Sequence, residues 1–305
     1  MLLSFGVVLL FIAPMLEFYA LPRVEKAPLD VNDRVVSNGI GKYFSPSALR
    51  FVGPTHLQNI QMAKGDPQAS THTVAVIHIS SHTVDLDANQ SVSFDQQTFA
   101  FNRRTGYAVN CCGASPPASG VTLKFPFNVD KDTTYQFWDT TADAAFPAKY
   151  VRDDVVESVK VWVFVSDVPP TKIGTLDFPG SLVGAPSGSG LVPVDHMYQA
   201  RTTLWVEPYT GAIVKGGQHA LQWARGPNGE QALADVVFVQ DPATVKSIAE
   251  RISSKRLQLE LVKFWVPVIG PIIGAVFVLA GLVILLRRSR RSEPAAAPAT
   301  RVPAS

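Results

Sequence analysis

The sequence predicts a mainly antiparallel β domain outside the cytoplasm, with a transmembrane α-helix at each end of the chain. Three observations predict this fold class. Residues 264–286 form a run without a charge that is followed at once by an arginine cluster. Residues 1–16 are also uncharged and almost entirely apolar. Between these ends, residues 70–240 show alternating strand patterns and no helical stripe of comparable length.

The C-terminal apolar run is long enough for a membrane span. As a helix it would measure about 35 Å, against a hydrocarbon core of about 30 Å. Arg287, Arg288, Arg290 and Arg291 follow it directly. Because Lys and Arg beside a span favour the cytoplasmic side, we expect residues 287–305 to form a basic, disordered cytoplasmic tail. The region before the span would then be extracytoplasmic.

The N-terminal segment, residues 1–22, has two interpretations. A cleaved signal peptide needs a basic start and a small residue three positions before the cleavage site. No Lys or Arg precedes the apolar run, and Phe18 stands where a small residue would be needed before cleavage at Ala20. These features favour an uncleaved signal anchor. A cell-membrane protein with two passes, in contact with membrane lipid, is the predicted result.

The region at 23–240 is predicted to be one large extracytoplasmic β-rich domain. Its clearest strands lie at 71–79, 155–165 and 236–239, whereas residues 23–64 resemble an irregular lead-in. Segments 98–109 and 203–214 align without gaps, and each has a strand and a tight turn ending in Thr-Gly. Gly106 and Gly211 supply the positive φ that such a turn requires. This match indicates a duplicated β unit, although two unrelated hairpins would look similar.

A juxtamembrane stalk helix is predicted at 241–263. Asp241 is a good N-cap, and Pro242 suits the first helical position. In the following span, Gly270 and Gly274 have the spacing that allows two helices to approach closely. We therefore expect a homo-oligomer through the transmembrane helices, although glycine is common in such helices for other reasons.

The two cysteines are neighbours, Cys111 and Cys112. Outside the cytoplasm, cysteines tend to be oxidised. Three states remain open for this pair: a vicinal disulfide, two buried thiols that pack as small apolar groups, or a metal or redox site. A metal site would need further Cys or His residues at ligand spacing, and none lies nearby in the sequence.

No catalytic motif appears in the sequence. A phosphate-binding loop, a nucleophile elbow and an H-E-x-x-H metal motif are all absent, so we expect a protein that is not an enzyme and has no cofactor or metal. The net charge is only +2 and the basic cluster lies beside the predicted span, which argues against a nucleic-acid partner.

A histidine cluster and an acidic cluster each allow a second interpretation, as a site that binds a metal or another ligand. His72, His78 and His82 would lie on or near one strand, and they fit either exposed strand positions or a metal site. An acidic neighbourhood surrounds the aromatic pair Tyr135 and Trp138, and it fits either loop solvation or weak Ca²⁺ or sugar binding. Its members are Asp130, Asp132, Asp139, Asp143, Asp153 and Asp154.

The chain resembles the actinobacterial PorA porin-like family, formerly a domain of unknown function. The resemblance rests on residues 134–139 (Thr-Tyr-Gln-Phe-Trp-Asp), on the paired Thr-Gly hairpins and on the two terminal apolar segments. It covers the chain except its tail. The resemblance implies a cell-envelope protein with a role in channel formation, and it transfers no catalytic residue.

Two hypotheses from different classes follow. The first is a non-enzymatic envelope protein whose β domain binds or passes lipid or small solutes. The second is an envelope enzyme that acts on glycolipid or peptidoglycan through acidic loop residues such as Asp139 and Asp153. The second hypothesis requires two carboxylates within about 5–10 Å of each other in a cleft.

Overall fold

The computed structural model describes residues 25–45, 49–260 and 266–291. Contacts divide the chain into two compact units. One unit consists of residues 25–256. The other consists of residues 1–24 and 257–305, of which 257–260 and 266–291 are described.

The described part of the first unit is built on ten β-strands and the beginning of a helix. The strands are β1 Asn32–Ser45, β2 Arg50–Gly65, β3 Val74–Asp85, β4 Gln90–Asn102, β5 Tyr135–Asp139, β6 Ala144–Val156, β7 Val159–Pro179, β8 Leu191–Val206, β9 Ile213–Arg225 and β10 Glu230–Gln240. A short 3₁₀ turn, Gly180–Leu182, follows β7. The helices are α1 Pro242–Glu260 and, in the second unit, α2 Val266–Arg291.

All ten strands belong to one antiparallel sheet, in the order β4-β3-β2-β1-β10-β9-β8-β7-β6-β5. The first strand pairs with the last, so residues some 200 positions apart meet at its centre, as in Ser37 opposite Gln240. The edges β4 and β5 are consecutive in sequence and are joined by residues 103–134. Bridges from Phe101 to Ala108, from Tyr107 to Val121 and from Val121 to Phe137 link the two edges through this segment. The segment therefore pairs with backbone groups that a sheet edge would otherwise leave open.

Strand β5 lies between two hydrophobic clusters. Trp138 packs with Ile77 and Phe99 of β3 and β4. Tyr135, three residues earlier and thus on the opposite face of β5, packs with Phe164 and Leu204 of β7 and β8. The two ends of the sheet therefore contact opposite faces of the same short strand.

The helix α1 begins where the sequence indicates. The Asp241 carboxylate accepts hydrogen bonds from the N–H groups of Ala243 and Thr244, at 3.0 and 3.3 Å. Val245, Ala249 and Ile252 are buried on one helical face, and Ala249 and Ile252 pack with apolar side chains of β7 and β9. This packing on the sheet explains the helical spacing of the apolar residues after Asp241.

The two Thr-Gly turns have the same geometry. Gly106 and Gly211 adopt φ of 72° and 71°. In each turn a side chain accepts hydrogen bonds from two following N–H groups: the Asn102 amide oxygen from residues 104 and 105, and the Glu207 carboxylate from residues 209 and 210. The carbonyls of both glycines accept hydrogen bonds from the same segment, from Thr122 N–H at 3.4 Å and Phe125 N–H at 2.7 Å. Residues 122–125 thus lie between the two Thr-Gly turns.

The helical part of the predicted fold class is wrong. A span requires about 20 consecutive apolar residues in one helix, and within the described ranges no helix reaches the necessary length and hydropathy. The predicted span at 264–286 begins outside the described residues, and α2 starts only at Val266. The predicted signal anchor at 1–22 lies outside the described residues altogether. The prediction of a two-pass protein with a transmembrane helix at each end is corrected to an antiparallel sheet of ten strands with two described helices.

The expected irregular lead-in at 23–64 is also wrong. It contains β1 and β2, two of the longer strands. Gly39 and Gly41, which resemble turn residues in the sequence, lie inside β1 opposite Phe238 and Val236 of β10. A Cβ on Gly39 would meet the Phe238 ring at 2.6 Å. These glycines therefore allow close packing of the neighbouring strand rather than a change of chain direction.

Candidate solute-binding face

One face of the sheet carries most of the core and is called the inner face here. Alternate residues of a strand share a face, and the register shows which residues of neighbouring strands do so. Ile77 lies opposite Phe99, and Gly39 lies opposite Leu57 and Phe238. On β8 the inner face includes Tyr198, which packs with β5–β6 residues.

The middle of the inner face is polar rather than apolar. Eight of its side chains are uncharged hydrogen-bonding groups, and each is half-buried. They are Ser37, Asn59, Gln61, Ser81, Thr202, Gln218, Gln222 and Gln240. A packed core would bury apolar groups at such positions, because unpaired polar groups are costly to remove from water. The partial exposure of these side chains indicates that solvent reaches this part of the face.

Amide side chains cross between strands on this face. Asn59 Nδ2 donates to Ser81 Oγ at 2.7 Å and to Thr83 Oγ1 at 3.0 Å. Gln218 Nε2 donates to Thr202 Oγ1 at 3.1 Å and to the Tyr198 hydroxyl at 3.4 Å. These contacts hold donors and acceptors in place without a formal charge.

Tyr198 joins the inner face to the end of β5. Its side chain is almost fully buried, and its hydroxyl donates to Asp139 Oδ2 at 3.0 Å. Burial, the negative charge of Asp139 and this hydrogen bond raise the pKa of Tyr198 far above its ordinary value. The phenol therefore remains a hydrogen-bond donor at any physiological pH. Asp139 Oδ1 also accepts from the N–H groups of Thr141 and Ala142, which fixes the β5–β6 turn.

Asp143, in the same turn, has a raised pKa. Burial is the first cause, followed by the negative charges of Asp95 and Asp139. Asp95 lies on β4, and Gln97 of the same strand donates from Nε2 to the Thr140 carbonyl at 3.4 Å. The β5–β6 turn therefore contacts the opposite edge strand of the sheet through polar groups.

Asp85 is a buried carboxylate at the end of β3. Its Oδ1 accepts from the Thr55 hydroxyl at 2.7 Å and from the N–H groups of residues 87 and 88, and its Oδ2 accepts from the Tyr43 hydroxyl at 3.0 Å. Burial alone raises the pKa of Asp85, but these hydrogen bonds outweigh burial and hold the pKa below its ordinary value. The carboxylate thus ties the β3–β4 turn to β1 and β2.

Replacing Asp85 with asparagine is expected to destabilise the domain by about 2 kcal/mol at pH 7, because the amide NH₂ cannot accept the hydrogen bonds of a carboxylate oxygen. The depressed pKa means that the carboxylate stabilises the fold above its unfolded pKa of about 3.9, and that this contribution is lost as pH falls through the lower folded pKa. The difference between the wild type and Asp85→Asn should therefore shrink below about pH 4. Urea unfolding of the full chain, measured at pH 7 and at low pH, tests both statements.

Asp177→Asn serves as the control, because Asp177 is exposed on β7. The control should match the wild type at both pH values. A difference between the wild type and Asp85→Asn that does not change with pH would contradict the role assigned to this carboxylate.

The structure joins Cys111 and Cys112 in a vicinal disulfide. The pair lies in the segment between β4 and β5, and Cys112 has a positive φ of 59°. Cys112 is exposed and Cys111 is half-buried. The disulfide is remote in sequence from the polar residues of the inner face.

The acidic neighbourhood does not form one site. Asp130 closes its own loop by accepting from the N–H of Asp132 and the hydroxyl of Thr133. Asp154 pairs with Arg152 at 2.9 Å and accepts from Trp205 Nε1 at 3.0 Å. Over the part of the chain that the structure describes, no group of three or more His, Cys, Asp or Glu side chains could hold a metal ion.

Asp139 and Asp153 do not form the carboxylate pair that a glycosidase-like enzyme requires. Asp139 pairs with Ala144 at the start of β6, whereas Asp153 lies nine residues further along that strand. At about 3.4 Å per residue the two carboxylates are about 30 Å apart. This is far beyond the separation of about 5–10 Å that general acid–base hydrolysis of a glycoside needs.

The three predicted histidines have separate partners. His72 contacts Lys26, at 2.9 Å. His78 contacts Thr98 Oγ1 and Asp66, at 2.9 and 3.4 Å. His82 contacts Ser91 Oγ at 3.0 Å and the edge of the Phe94 ring. They do not converge on a shared point.

The remaining predicted positions lie in α2. Gly270 and Gly274 are in its first half, and Arg287, Arg288, Arg290 and Arg291 are at its C-terminal end. The structure shows neither an oligomer contact through the glycines nor a membrane orientation for the arginines, so both remain predictions.

Sequence reasoning missed the polar positions of the inner face. In β2 the inner residues Asn59 and Gln61 alternate with the outer residues Gln58 and Ile60, so no contrast between a polar and an apolar face is visible. A usable signal was the excess of Gln, Asn and Ser at 58–61 and 80–81 without the charges that are common on exposed strands. The pairing of these strands with β1 and β10 is what brings the residues together.

Comparisons with known proteins agree with the resemblance noted in the sequence. The family model described as Porin PorA matches residues 1–283 of the 305 in the chain. A search of curated proteins finds no match. Because the family model covers most of the chain, this protein belongs to the porin PorA family and is a porin-like protein of the cell envelope.

Proposed function

We propose that this protein is a non-enzymatic extracytoplasmic envelope component that binds or passes small polar solutes along the inner face of its sheet. One observation carries the proposal: the middle of that face is uncharged, polar and half-buried, at positions where a folded sheet normally has apolar residues. Membership of a porin family supports the passage of solutes.

The chemistry of the inner face favours small polar solutes over lipid. An acyl chain needs a continuous apolar surface, and the apolar parts of this face are already covered by the protein itself. Trp138 fills the surface near Phe99, and Tyr135 packs against Phe164. The open part of the face offers hydroxyl and amide groups such as those of Ser37 and Asn59.

The extracytoplasmic position is supported by the cysteines. Disulfides persist in oxidising compartments outside the cytoplasm and are rare inside it. The described cysteines, Cys111 and Cys112, form a disulfide.

The test is a flux measurement on the purified full-length protein reconstituted into liposomes. We expect sorbitol to enter protein-containing liposomes faster than protein-free ones, and Gln218→Leu to lower that rate, because leucine removes the donor to Thr202 and Tyr198 from the face. Val237→Leu, on the outer face of β10 and exposed, is the matched control. Equal sorbitol entry with and without the protein would overturn the proposal. Lipid that co-purifies at a fixed stoichiometry, in the absence of sorbitol entry, would support the lipid alternative instead.

A further inference from the structure

We infer that the disulfide between Cys111 and Cys112 is a redox-reactive site that a dithiol reduces in the folded protein, and that its reduction releases the loop of residues 109–118 from the edge strand β4. Three observations carry the inference: the access to one sulfur, the backbone conformation at Cys112, and the hydrogen bonds between this loop and β4. It is independent of the proposed function, because it concerns the connection between β4 and β5 and not the polar middle of the inner face.

One sulfur of the pair is open to solvent and the other is partly covered. Cys112 is exposed, whereas Cys111 is half-buried. Gly113, beside Cys112, is also exposed, and a Cβ built on it would meet no atom of the described residues within 4 Å. An incoming thiolate therefore reaches the Cys112 sulfur more easily than the Cys111 sulfur.

The segment around the disulfide is uncharged. Residues 105–123 contain no Asp, Glu, Lys, Arg or His. The attacking species in thiol–disulfide exchange is a thiolate, which a neighbouring carboxylate would repel. The charge of this segment therefore does not oppose the approach of an anionic thiol.

The exchange takes place in two steps. A thiolate of the dithiol attacks the Cys112 sulfur, the bond between the two cysteines breaks, and the electron pair leaves on the Cys111 sulfur. The second thiolate of the reductant then attacks the reductant sulfur of the mixed disulfide, which forms a disulfide within the reductant and releases the Cys112 sulfur as a thiolate. Each cysteine gains one electron and takes up one proton from solvent, to which the dithiol has lost its two protons.

The reactant class is a dithiol, either a small molecule or a protein of the Cys-x-x-Cys type. After the first step, the Cys111 thiolate lies beside the mixed disulfide on Cys112 and can close the original bond again. A second thiol on the reductant competes with this reclosure within the same adduct, whereas a monothiol must supply a second molecule.

The backbone at Cys112 has a conformation that the disulfide helps to hold. Its φ is 59°, in the left-handed region where a residue with a Cβ is strained. The same peptide unit carries the Cys111 carbonyl, which accepts a hydrogen bond from the N–H of Ala114 at 2.9 Å. When reduction frees Cys112 to return to a negative φ, this peptide rotates and the hydrogen bond to Ala114 is lost.

The disulfide lies between two points at which the loop is bonded to β4. On one side, the Val109 N–H donates to the Ala100 carbonyl at 2.8 Å. On the other side, Thr98 and Ser115 exchange two hydrogen bonds, each of 2.9 Å. A rearrangement of the peptide between the cysteines therefore acts on both points, and reduction loosens the pairing of the loop with the edge of the sheet.

The first experiment counts reactive thiols in the folded, full-length protein. Protein purified in detergent without reductant is incubated with dithiothreitol or with reduced thioredoxin, an excess of N-ethylmaleimide is added, and the mass of the chain is measured. We expect no label before reduction and two labels after it, at Cys111 and Cys112. Two labels from either dithiol support the inference, and the comparison shows whether the reductant can be a protein. Two labels without any reductant, or none until the chain is unfolded in guanidinium, would overturn it.

Single variants test which sulfur is attacked. Cys111→Ser leaves the exposed Cys112 thiol, and Cys112→Ser leaves the half-buried Cys111 thiol. We expect Cys111→Ser to react with N-ethylmaleimide at least about fivefold faster than Cys112→Ser, because the more accessible thiol reacts first. Equal rates would overturn the assignment of Cys112 as the attacked sulfur.

Hydrogen exchange tests the release of the loop from β4. The oxidised and the dithiothreitol-reduced full-length proteins are compared by mass spectrometry. We expect the N–H groups of Thr98, Val109 and Ser115 to exchange at least about tenfold faster after reduction, because their hydrogen bonds open more often. Residues 236–239 of β10 serve as the control and should not change, and reoxidation should restore slow exchange. Unchanged exchange at the three N–H groups of a fully reduced protein would overturn the inference.

The double variant Cys111→Ser/Cys112→Ser separates loss of the disulfide from a side effect of the reductant. It should show the faster exchange without dithiothreitol and no further change with it. Circular dichroism checks its fold, and if it does not fold, the reversible change in the wild type is the deciding measurement. A folded double variant with the slow exchange of the oxidised wild type would contradict the role of the disulfide and leave the proposed function standing.

Discussion

Replacing Gly211 with alanine is expected to destabilise the β domain by about 4 kcal/mol. Gly211 has a φ of 71°, where an L-residue with a Cβ is strained. A Cβ built at this position would lie 2.2 Å from the carbonyl oxygens of both Phe125 and Pro126. The neighbouring atoms are backbone, so they cannot move aside by a change of rotamer. Such a loss is a large fraction of the stability of a domain, about 5–15 kcal/mol.

Gly188→Ala separates the strain of a positive φ from the steric clash between a Cβ and neighbouring backbone atoms. Gly188 also has a positive φ, 85°, but a Cβ there would meet no atom within 4 Å. Its substitution should therefore cost only the conformational strain, about 1 kcal/mol. Urea unfolding of both full-length variants, followed by tryptophan fluorescence, measures the difference. Equal losses at Gly188 and Gly211 would show that residues 125–126 do not lie against the second Thr-Gly turn.

Replacing Phe164 with alanine is the second large change, with an expected loss of about 4 kcal/mol. Phe164 is fully buried on β7. Its ring lies 5.0 Å from that of Phe125 and 5.7 Å from that of Tyr135, between centroids. The substitution leaves a cavity where the 122–125 segment, β5 and the long strand β7 meet. Loss of the Phe125 contact should also loosen the segment held between the two related turns.

Phe94→Ala is the matched control, because Phe94 is 63% exposed on the outer face of β4. Its ring contacts the His82 ring, with 6.2 Å between the two centroids. We expect a change of less than about 0.5 kcal/mol in the free energy of unfolding. Thermal and urea unfolding measure the free energy of unfolding of both variants. If Phe164→Ala proved as stable as Phe94→Ala, the position of β5 between the two hydrophobic clusters would be contradicted.

Local patterns were sufficient for several elements. Asp241 with Pro242 predicts the start of α1. The alternation at 155–165 predicts a single strand, and its part from Val159 onward lies in β7, but a turn at Glu157 and Ser158, both with positive φ, separates it from the end of β6. The Thr-Gly pairs predict two tight turns with positive φ at Gly106 and Gly211. These features depend on steric preferences and hydrogen bonds within a few residues, so the sequence contains the necessary information.

Other expectations failed because distant residues decide the outcome. Gly39 and Gly41 suggest turns when they are considered alone, but they lie within a strand because Phe238 and Val236 pack against them from the other end of the domain. A long apolar run suggested a span at 264–286, but among the described residues no helix has the length and hydropathy to cross a membrane. Asp139 and Asp153, the two carboxylates named as examples in the enzyme hypothesis, do not meet, because their places on the β5–β6 hairpin keep them apart.

The sequence by itself determined the family, the antiparallel β character and the two Thr-Gly turns of this protein. Only the tertiary structure decided which polar residues share the inner face. That choice depends on strand register, because a shift of one residue moves every side chain of a strand to the other face. The register at the centre of the sheet is fixed by pairs such as Ser37 with Gln240, which are far apart in the chain and come together only when the whole domain folds.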